Sequence, residues 1–144
     1  MKELIRDIES SHAKPAEKAV KRLIAEHDSR CVGPLLPLAV SPDIQVQSKA
    51  VMVLSHFVES QHGEIWAFMR PLLLRGDRDT RVMALLALED LPVAEAVPLL
   101  KRFAQSRGNT DIRARALGCL SSIARVHPKF RSGLRAMYLE SVRS

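Results

Sequence analysis

The chain has 144 residues and a net charge of +6, with 47% apolar but only 4% aromatic residues. A chain of this size forms one domain that buries roughly 70% of its unfolded surface, and Ala, Leu and Val must supply most of its packing. No apolar run approaches the roughly 20 residues that a membrane-spanning helix needs, and the charged, periodic N-terminus is unlike a signal peptide. We therefore expect a cytoplasmic protein that makes no contact with a membrane.

The positive charge is unevenly distributed along the chain. Residues 1–40 have seven Lys/Arg and six Asp/Glu, for a net charge of +1, whereas residues 41–100 have five and eight, for −3. Residues 101–144 have ten and two, for +8. The basic excess therefore lies in the last third of the chain, which an average over the whole sequence hides.

Hydrophobic periodicity predicts helices along the first half of the chain. A short amphipathic helix spans 2–10, and a second one begins at Pro15, because proline is well suited to the first position of a helix. Residues 27–30 end it. A further helix is expected over 34–40, followed by a Pro-Asp turn and then by a helix over 44–58.

The second half of the chain continues the alternation of helix and turn. Residues 61–63 are predicted to form a loop, and the following helix should kink or break near Met69 because of Pro71. Pro98 is compatible with a helix only if it lies in the first turn or marks a bend. The remaining helices are expected over 80–91, 93–105, 111–126 and 130–142, and no segment has the pattern of a strand.

Two cysteines, Cys31 and Cys119, are far apart and have neither CxxC nor metal-ligand spacing. Cys119 falls inside a predicted helix and Cys31 lies just before one. We expect both to be buried free thiols.

Three segments that start at Asp43, Asp77 and Asn109 share one pattern. Each begins with Asp or Asn, has Val, Thr or Ile three residues later, Ala at the eighth place and Leu at the twelfth. The starts are separated by 34 and 32 residues (77 − 43 and 109 − 77). Self-similarity at this period is typical of stacked helical repeats, in which the Ala permits close helix approach and the Leu fills the seam between neighbours.

These segments resemble the HEAT-repeat family, in particular its compact bacterial type. In that family each unit is an antiparallel helix pair with an Asp in the turn, a Val-Arg pair at the start of the second helix, and Ala and Leu further along. The Val-Arg place is held by Val46-Gln47, Thr80-Arg81 and Ile112-Arg113. The family's Pro-Leu-Leu occurs at 34–36, 71–73 and 98–100.

The resemblance implies an all-α fold, namely a right-handed α-solenoid of about three to four antiparallel helix pairs with capping helices. The chain would be a single domain over 1–144. Within it, 1–33 would be an N-terminal cap or degenerate repeat, 34–126 the three repeats, and 127–144 a C-terminal capping helix.

No motif of an enzyme is recognisable. The five histidines form no HExxH or paired His-Glu signature, and the sequence has no GxSxG, no glycine-rich phosphate loop and no Cys/His metal spacing. His62 is interpreted as a loop histidine beside a helix N-terminus. We therefore expect a non-enzymatic protein with no cofactor, no metal and no small-molecule substrate.

Arg81 and Arg113 occupy the same place in two repeats. Either they contact a ligand, or they bond to turn carboxylates such as Asp77, or to carbonyls of the adjacent repeat, and so form a ladder between units. Their recurrence at the phase of the repeat favours the ladder.

The second helices of HEAT units line the concave surface of the stack, and the sixth, seventh and tenth places of the repeat should face outward there. In the middle repeat these places are Val82, Met83 and Leu86, where a solvated face would be polar. Exposed apolar clusters rimmed by charge usually mark protein contacts. The alternative is that these side chains are not free for a partner, because the curvature of so short a stack or a swapped neighbouring molecule covers them. The predicted contacts of a protein-binding adaptor or inhibitor are Lys49, Met52, His56, Val82, Met83, Leu86, Glu89, Asp90, Arg115 and Ser122.

The basic last third supports an alternative, which is nucleic-acid binding. Clustered Lys and Arg side chains bind phosphates, and HEAT-like DNA glycosylases bind duplex DNA through such a surface. With one Trp and one Tyr, this chain lacks recognisable machinery for base chemistry, and a solvated basic face or an acidic protein partner explains the charge equally well. The candidate phosphate or acidic-partner contacts are Lys101, Arg102, Arg107, Arg125, Lys129, Arg131 and Arg135.

Overall fold

The computed structural model describes residues 1–10 and 12–143, and the side chains of 1–10 and 12–140. Ser11, in the predicted segment 1–33, and Ser144, at the end of 127–144, lie outside the described residues. The described chain is helical and contains no strand, which confirms the all-α prediction. The helices are α1 (Lys2–Glu9), α2 (Ala13–Glu26), α3 (Val32–Leu35), α4 (Ile44–Leu54), α5 (Val58–Arg75), α6 (Arg78–Asp90), α7 (Val97–Ala104), α8 (Thr110–Val126) and α9 (Arg131–Arg143).

Short 3₁₀ turns connect several of these helices. They lie at Ser29–Cys31, Leu38–Val40, Ser55–Phe57, Ala94–Ala96 and Pro128–Phe130. Three predicted helices are therefore divided: 34–40 becomes α3 and a 3₁₀ turn, 44–58 becomes α4, a 3₁₀ turn and the start of α5, and 93–105 becomes a 3₁₀ turn and α7. In the described ranges, no helix is both long enough and apolar enough to cross a membrane.

The first residue of each sequence repeat is the N-cap of a helix. The Oδ1 atoms of Asp43, Asp77 and Asn109 accept hydrogen bonds from backbone N–H groups two or three residues further on, at 3.0, 2.8 and 3.1 Å. These bonds satisfy donors that have no partner inside the helix. The Asp or Asn therefore sets where α4, α6 and α8 begin.

The helix that contains Pro71 differs from the prediction of a break near Met69. α5 continues through Pro71 without ending near Met69, so the predicted break is wrong. The backbone instead leaves helical geometry at Gln61 (φ −123°, ψ 26°), where two helical stretches meet at a kink. Residues 62–63 are helical, so the predicted loop over 61–63 is wrong. Pro98 lies in the first turn of α7, as predicted, where its missing N–H removes no helical hydrogen bond.

The turn between α5 and α6 depends on Gly76. A Cβ at this position would lie 2.2 Å from the carbonyl oxygen of Leu72 and 2.9 Å from Cγ2 of Thr80. Because carbon and oxygen cannot approach so closely, only glycine fits. The lack of a side chain lets α5 lead directly into α6.

The helices pack against their neighbours along one continuous core. α2 packs against α1 and α4, α6 packs against α4 and α8, and α8 also packs against α7 and α9. The predicted core positions are confirmed, because the three repeat alanines are fully buried and the three repeat leucines are at most 3% exposed. They are Ala50, Ala84, Ala116, Leu54, Leu88 and Leu120.

Both cysteines are buried and free, as predicted. The Cys119 thiol of α8 donates a hydrogen bond to the Leu85 carbonyl of α6 at 3.1 Å. Burial raises the pKa of Cys119 to about 12 and that of Cys31 to about 11. Both side chains therefore stay protonated near neutral pH and act as core groups with little nucleophilic character.

Candidate functional site

α4, α6 and α8 lie side by side and carry most of the residues predicted to bind a protein. We call the surface formed by the predicted residues that remain accessible on these helices the inner face: Lys49, Met52, Met83, Leu86, Glu89, Asp90 and Arg115. α6 and α8 run in the same direction, since the Arg78–Asp111 ion pair at 3.8 Å joins their first turns and the Cys119–Leu85 hydrogen bond at 3.1 Å joins later turns.

The inner face contains an open groove between α4 and α6. Met52 and Asp90 both line it, together with Gln47, Ser48, Val51 and Ser55, and its volume is about 400 Å³. Met52 is 53% exposed, although methionine is an apolar residue. The structure thus brings together two predicted contacts that are 38 positions apart in sequence (90 − 52).

The apolar residues of α6 are less accessible than Met52. Val82, Met83 and Leu86 are all half-buried, and Val82 packs against the core. Val82 therefore has a structural role that the sequence pattern did not reveal. Met83 and Leu86 keep part of their surface accessible on the inner face.

Charged residues border the apolar part of the inner face. Glu89 is exposed, and its carboxylate lies so close to α8 that a Cβ on Gly118 would meet Oε1 at 3.4 Å. Arg115 is half-buried, with its Nε 3.2 Å from Asp111 Oδ1. Lys49 is also half-buried, and His56 is exposed in the 3₁₀ turn after α4.

Ser122, one of the predicted partner contacts, is not accessible on the inner face. Ser122 is only 4% exposed, and its Oγ accepts a hydrogen bond from Nη2 of Arg125 at 3.1 Å. The neighbouring Ser121 is hydrogen-bonded to Tyr138 of α9 at 3.0 Å. α9 therefore covers this part of α8, which the repeat pattern alone does not indicate.

The predicted arginine ladder is not formed through Asp77. The Asp77 carboxylate caps α6, and the described side chains offer no hydrogen-bond partner to the buried Nε of Arg81. Arg113 is half-buried, and Gln47, at the same place of the first repeat, is 6% exposed. The position is thus partly or fully buried in all three repeats.

A larger groove lies where α4, α6 and α8 end, and the sequence pattern did not predict it. We call it the edge groove; its volume is about 670 Å³. His62 Nδ1 lies 2.7 Å from Glu95 Oε2 within it. Burial acts to raise the pKa of Glu95, but the hydrogen bond with His62, a backbone hydrogen bond and the charges of His62 and His127 together outweigh it, so the pKa is lowered overall. Its lining residues are Ser55, Val58, Glu59, His62, Pro92, Ala94, Glu95, Val126 and His127.

One signal in the sequence indicates the contact between His62 and Glu95, although it does not locate the groove around them. His62 and Glu95 are separated by 33 residues, which lies between the two repeat spacings of 34 and 32. Residues one period apart occupy equivalent places in neighbouring repeats, and such residues are candidates for contact in a stacked array. The interpretation of His62 as a loop residue treated it in isolation and missed its partner.

The predicted basic residues are all exposed, and they do not line a single groove. Arg102 lines a groove of about 290 Å³ between α5 and α7 with Trp66 and Arg70. Arg131 and Arg135 line another, of about 340 Å³, on α9. Among the side chains that the structure describes, no carboxylate lies within 4.0 Å of any of these cations. They are Lys101, Arg102, Arg107, Arg125, Lys129, Arg131 and Arg135.

The described residues contain no group of three His, Cys, Asp or Glu side chains that could hold a metal ion. Comparison with protein-family models gives no match, and no curated protein matches the chain. The candidate sites are therefore defined by geometry and charge, as the inner face, the edge groove and the dispersed basic residues.

Proposed function

We propose that this chain is a HEAT-like α-solenoid that binds another protein through the inner face, as an adaptor or inhibitor. The observation that carries the proposal is Met52, which is 53% exposed in a groove that also contains Asp90. Removal of an exposed apolar side chain from water by a partner lowers the free energy and so favours binding. The flexible methionine side chain also adapts to varied partner surfaces. The proposed function includes no catalytic step and no cofactor.

Contacts between helices support the stacked arrangement in this proposal. The His62–Glu95 and Arg78–Asp111 pairs and the Cys119–Leu85 hydrogen bond join residues 33, 33 and 34 positions apart. A stacked array contacts mainly its nearest neighbours, so its cross-unit contacts fall at the repeat period. Three contacts of different chemistry at one spacing are what such an array produces.

The size of the inner face suggests how a partner would bind. A helix of 13 residues such as α6 is about 20 Å long, and two further helices at about 9 Å spacing give a flat area of roughly 400 Å². A standard interface buries about 800 Å² on each partner. The inner face alone is therefore small, and a partner that also entered a neighbouring groove would bind more tightly.

The experiment is a capture of partners from the native host, with identification by mass spectrometry. Combining Met83→Asp with Leu86→Asp should reduce binding of the captured partner at least tenfold, because it places two charges at the centre of the interface. Because both residues are half-buried, Met52→Asp is a second variant with less effect on folding. Circular dichroism checks that each variant is folded.

A matched control has the same chemistry at another surface. Tyr138→Asp combined with Leu139→Asp alters two exposed apolar residues of α9, which are 42% and 55% exposed. This control should keep the partner. Partner binding that survived both the Met83/Leu86 variant and Met52→Asp would refute the inner face as the binding surface.

The exposed cations of the last third favour a second candidate function, nucleic-acid binding. Without carboxylates beside them, these side chains are available to phosphates, and binding would weaken steeply with salt. Fluorescence anisotropy with a labelled DNA duplex should show binding at about 50 mM salt and its loss at about 200 mM. Arg131→Glu with Arg135→Glu should weaken it further. Absence of binding at the lower salt would exclude this function.

A further inference from the structure

The edge groove combines apolar walls with negative charge. Val58, Pro92 and Ala94 line it, and so does Val126, which is 56% exposed. Its volume of about 670 Å³ is within the range of roughly 300–1,000 Å³ typical of small-ligand sites. These walls suit an aliphatic chain.

The electrostatics of the edge groove favour a cation. Glu59 and Glu95 contribute two carboxylates, and Glu59 has no ion-pair partner among the described side chains. α6 and α8 end at the groove, where the helix dipole adds partial negative charge. His62 and His127 also line the groove. The two carboxylates and the helix ends disfavour phosphates and other anions there.

The edge groove is continuous with the inner face. Ser55 lines both the groove that contains Met52 and Asp90 and the edge groove. A partner segment lying over Met52 would therefore reach the edge groove without leaving the protein surface. The net charge of −3 on residues 41–100 would also attract a basic segment to this region rather than to the +8 of the last third.

We propose that the edge groove receives a lysine or arginine side chain of the protein that binds the inner face. The aliphatic part of that side chain packs on Val58, Pro92 and Val126, and its charged end lies between Glu59 and Glu95. Long basic side chains commonly divide their apolar stem and charged head in this way. This inference rests on the proposed function and specifies the chemistry of the partner.

The test uses the isolated chain and small probes that mimic one side chain. N-acetyl-arginine methylamide and N-acetyl-lysine methylamide are titrated at pH 8 and low salt, with backbone amide chemical shifts as the readout. We expect saturable shifts at His62, Ala94 and Val126, with a Kd on the order of millimolar for so small a ligand. N-acetyl-norleucine methylamide, which has a similar stem but no charge, should bind roughly fivefold more weakly or not at all.

Variants separate charge recognition from a general apolar pocket. Glu59→Gln combined with Glu95→Gln should weaken the arginine probe about fivefold or more, because exposed ion pairs contribute modestly. Glu17→Gln removes a negative charge from α2, outside the groove, and should leave the affinity for the arginine probe unchanged. Equal binding of the norleucine probe, or no loss of affinity in the double variant, would overturn the proposal.

The outcomes also distinguish this inference from the proposed function. If partner binding survives the inner-face variants while the arginine probe still binds the edge groove, the inner-face proposal fails and the groove remains a site for cations. If the arginine and lysine probes cause no shifts at the groove, the inference fails whatever the inner-face variants show.

Discussion

The two ends of α4, α6 and α8 differ in how regular they are. At their N-termini, which we call the capped edge, Asp43, Asp77 and Asn109 make equivalent capping bonds. At their C-termini the chain leaves each helix differently: α4 leads into a 3₁₀ turn, α6 is followed by Pro92, and α8 is followed by His127 and Pro128. The edge groove lies at this irregular end.

The difference shows where repeated and unrepeated residues act. Repeated residues at the capped edge satisfy backbone groups that every helix start leaves unpaired, so the same solution recurs. Glu59, His62, Glu95 and His127 lie outside the three aligned segments 43–54, 77–88 and 109–120, and they line a groove. We infer that the repeat maintains the fold, whereas departures from it generate binding surfaces.

The largest expected effect on stability comes from truncating a leucine of the core that lies between the capped edge and the edge groove. Leu88→Ala should lower the free energy of unfolding by roughly 2–5 kcal/mol, because the side chain is 1% exposed and its loss leaves a cavity. Leu54→Ala should behave similarly. Leu139→Ala, at a residue that is 55% exposed, should change stability by about 0.5 kcal/mol or less. Chemical denaturation measures all three, and equal stability of the core variants and the control would contradict the assigned core.

A pair of glycine substitutions contrasts the two edges directly. Gly76→Ala should destabilise the protein by roughly 1–3 kcal/mol, because the new methyl group would collide with the Leu72 carbonyl at the capped edge. Gly63→Ala, beside His62 of the edge groove, meets no atom within 4 Å and lies in α5. It should stabilise by about 0.5–1 kcal/mol through lower unfolded-state entropy. Thermal unfolding that shifted in the same direction for both variants would contradict the difference between the edges.

The smallest effect concerns the charge of a single cap. The pKa of Asp77 is lowered from its usual 3.8 by hydrogen bonds from the backbone and side chain of Thr80. A carboxylate with a depressed folded-state pKa stabilises the protein above its unfolded pKa, and this contribution is lost as the pH falls through the folded value. Asp77→Asn, which reproduces the cap found at Asn109, should therefore match the original protein near pH 7.

The difference should appear only in acid. Between about pH 5 and about pH 2 the Asn variant should lose less stability than the original protein, since it has no carboxyl group to protonate at the cap. Melting temperature measured across this range decides the matter. Parallel curves for the two proteins would show that the cap contributes no acid sensitivity.

Much of the helical content and the core could be predicted because they depend on local sequence. The apolar spacing and the Asp or Asn caps indicated the starts of α4, α6 and α8 within two residues, and the repeat alanines and leucines are buried as expected. The predicted break at Pro71 was wrong, because the chain instead departs from helical geometry at Gln61. The resemblance to HEAT repeats stays a prediction.

The candidate site was less predictable, because exposure depends on what packs over a residue. Met52 and Asp90 line one groove, yet Val82 packs against the core and Ser122 is buried. A repeat pattern indicates which residues lie on the same face of a helix, but it gives no information on which neighbouring element packs over that face.

The sequence by itself determined the helical class, the positions of the repeated caps, the apolar stripe and the concentration of basic charge after residue 100. These properties follow from interactions within a few residues or from composition. Tertiary structure alone decided the edge groove, because its walls come from Ser55, Pro92 and Val126 at the ends of three different helices. Only the packing of helices that are distant in sequence brings such residues around one groove.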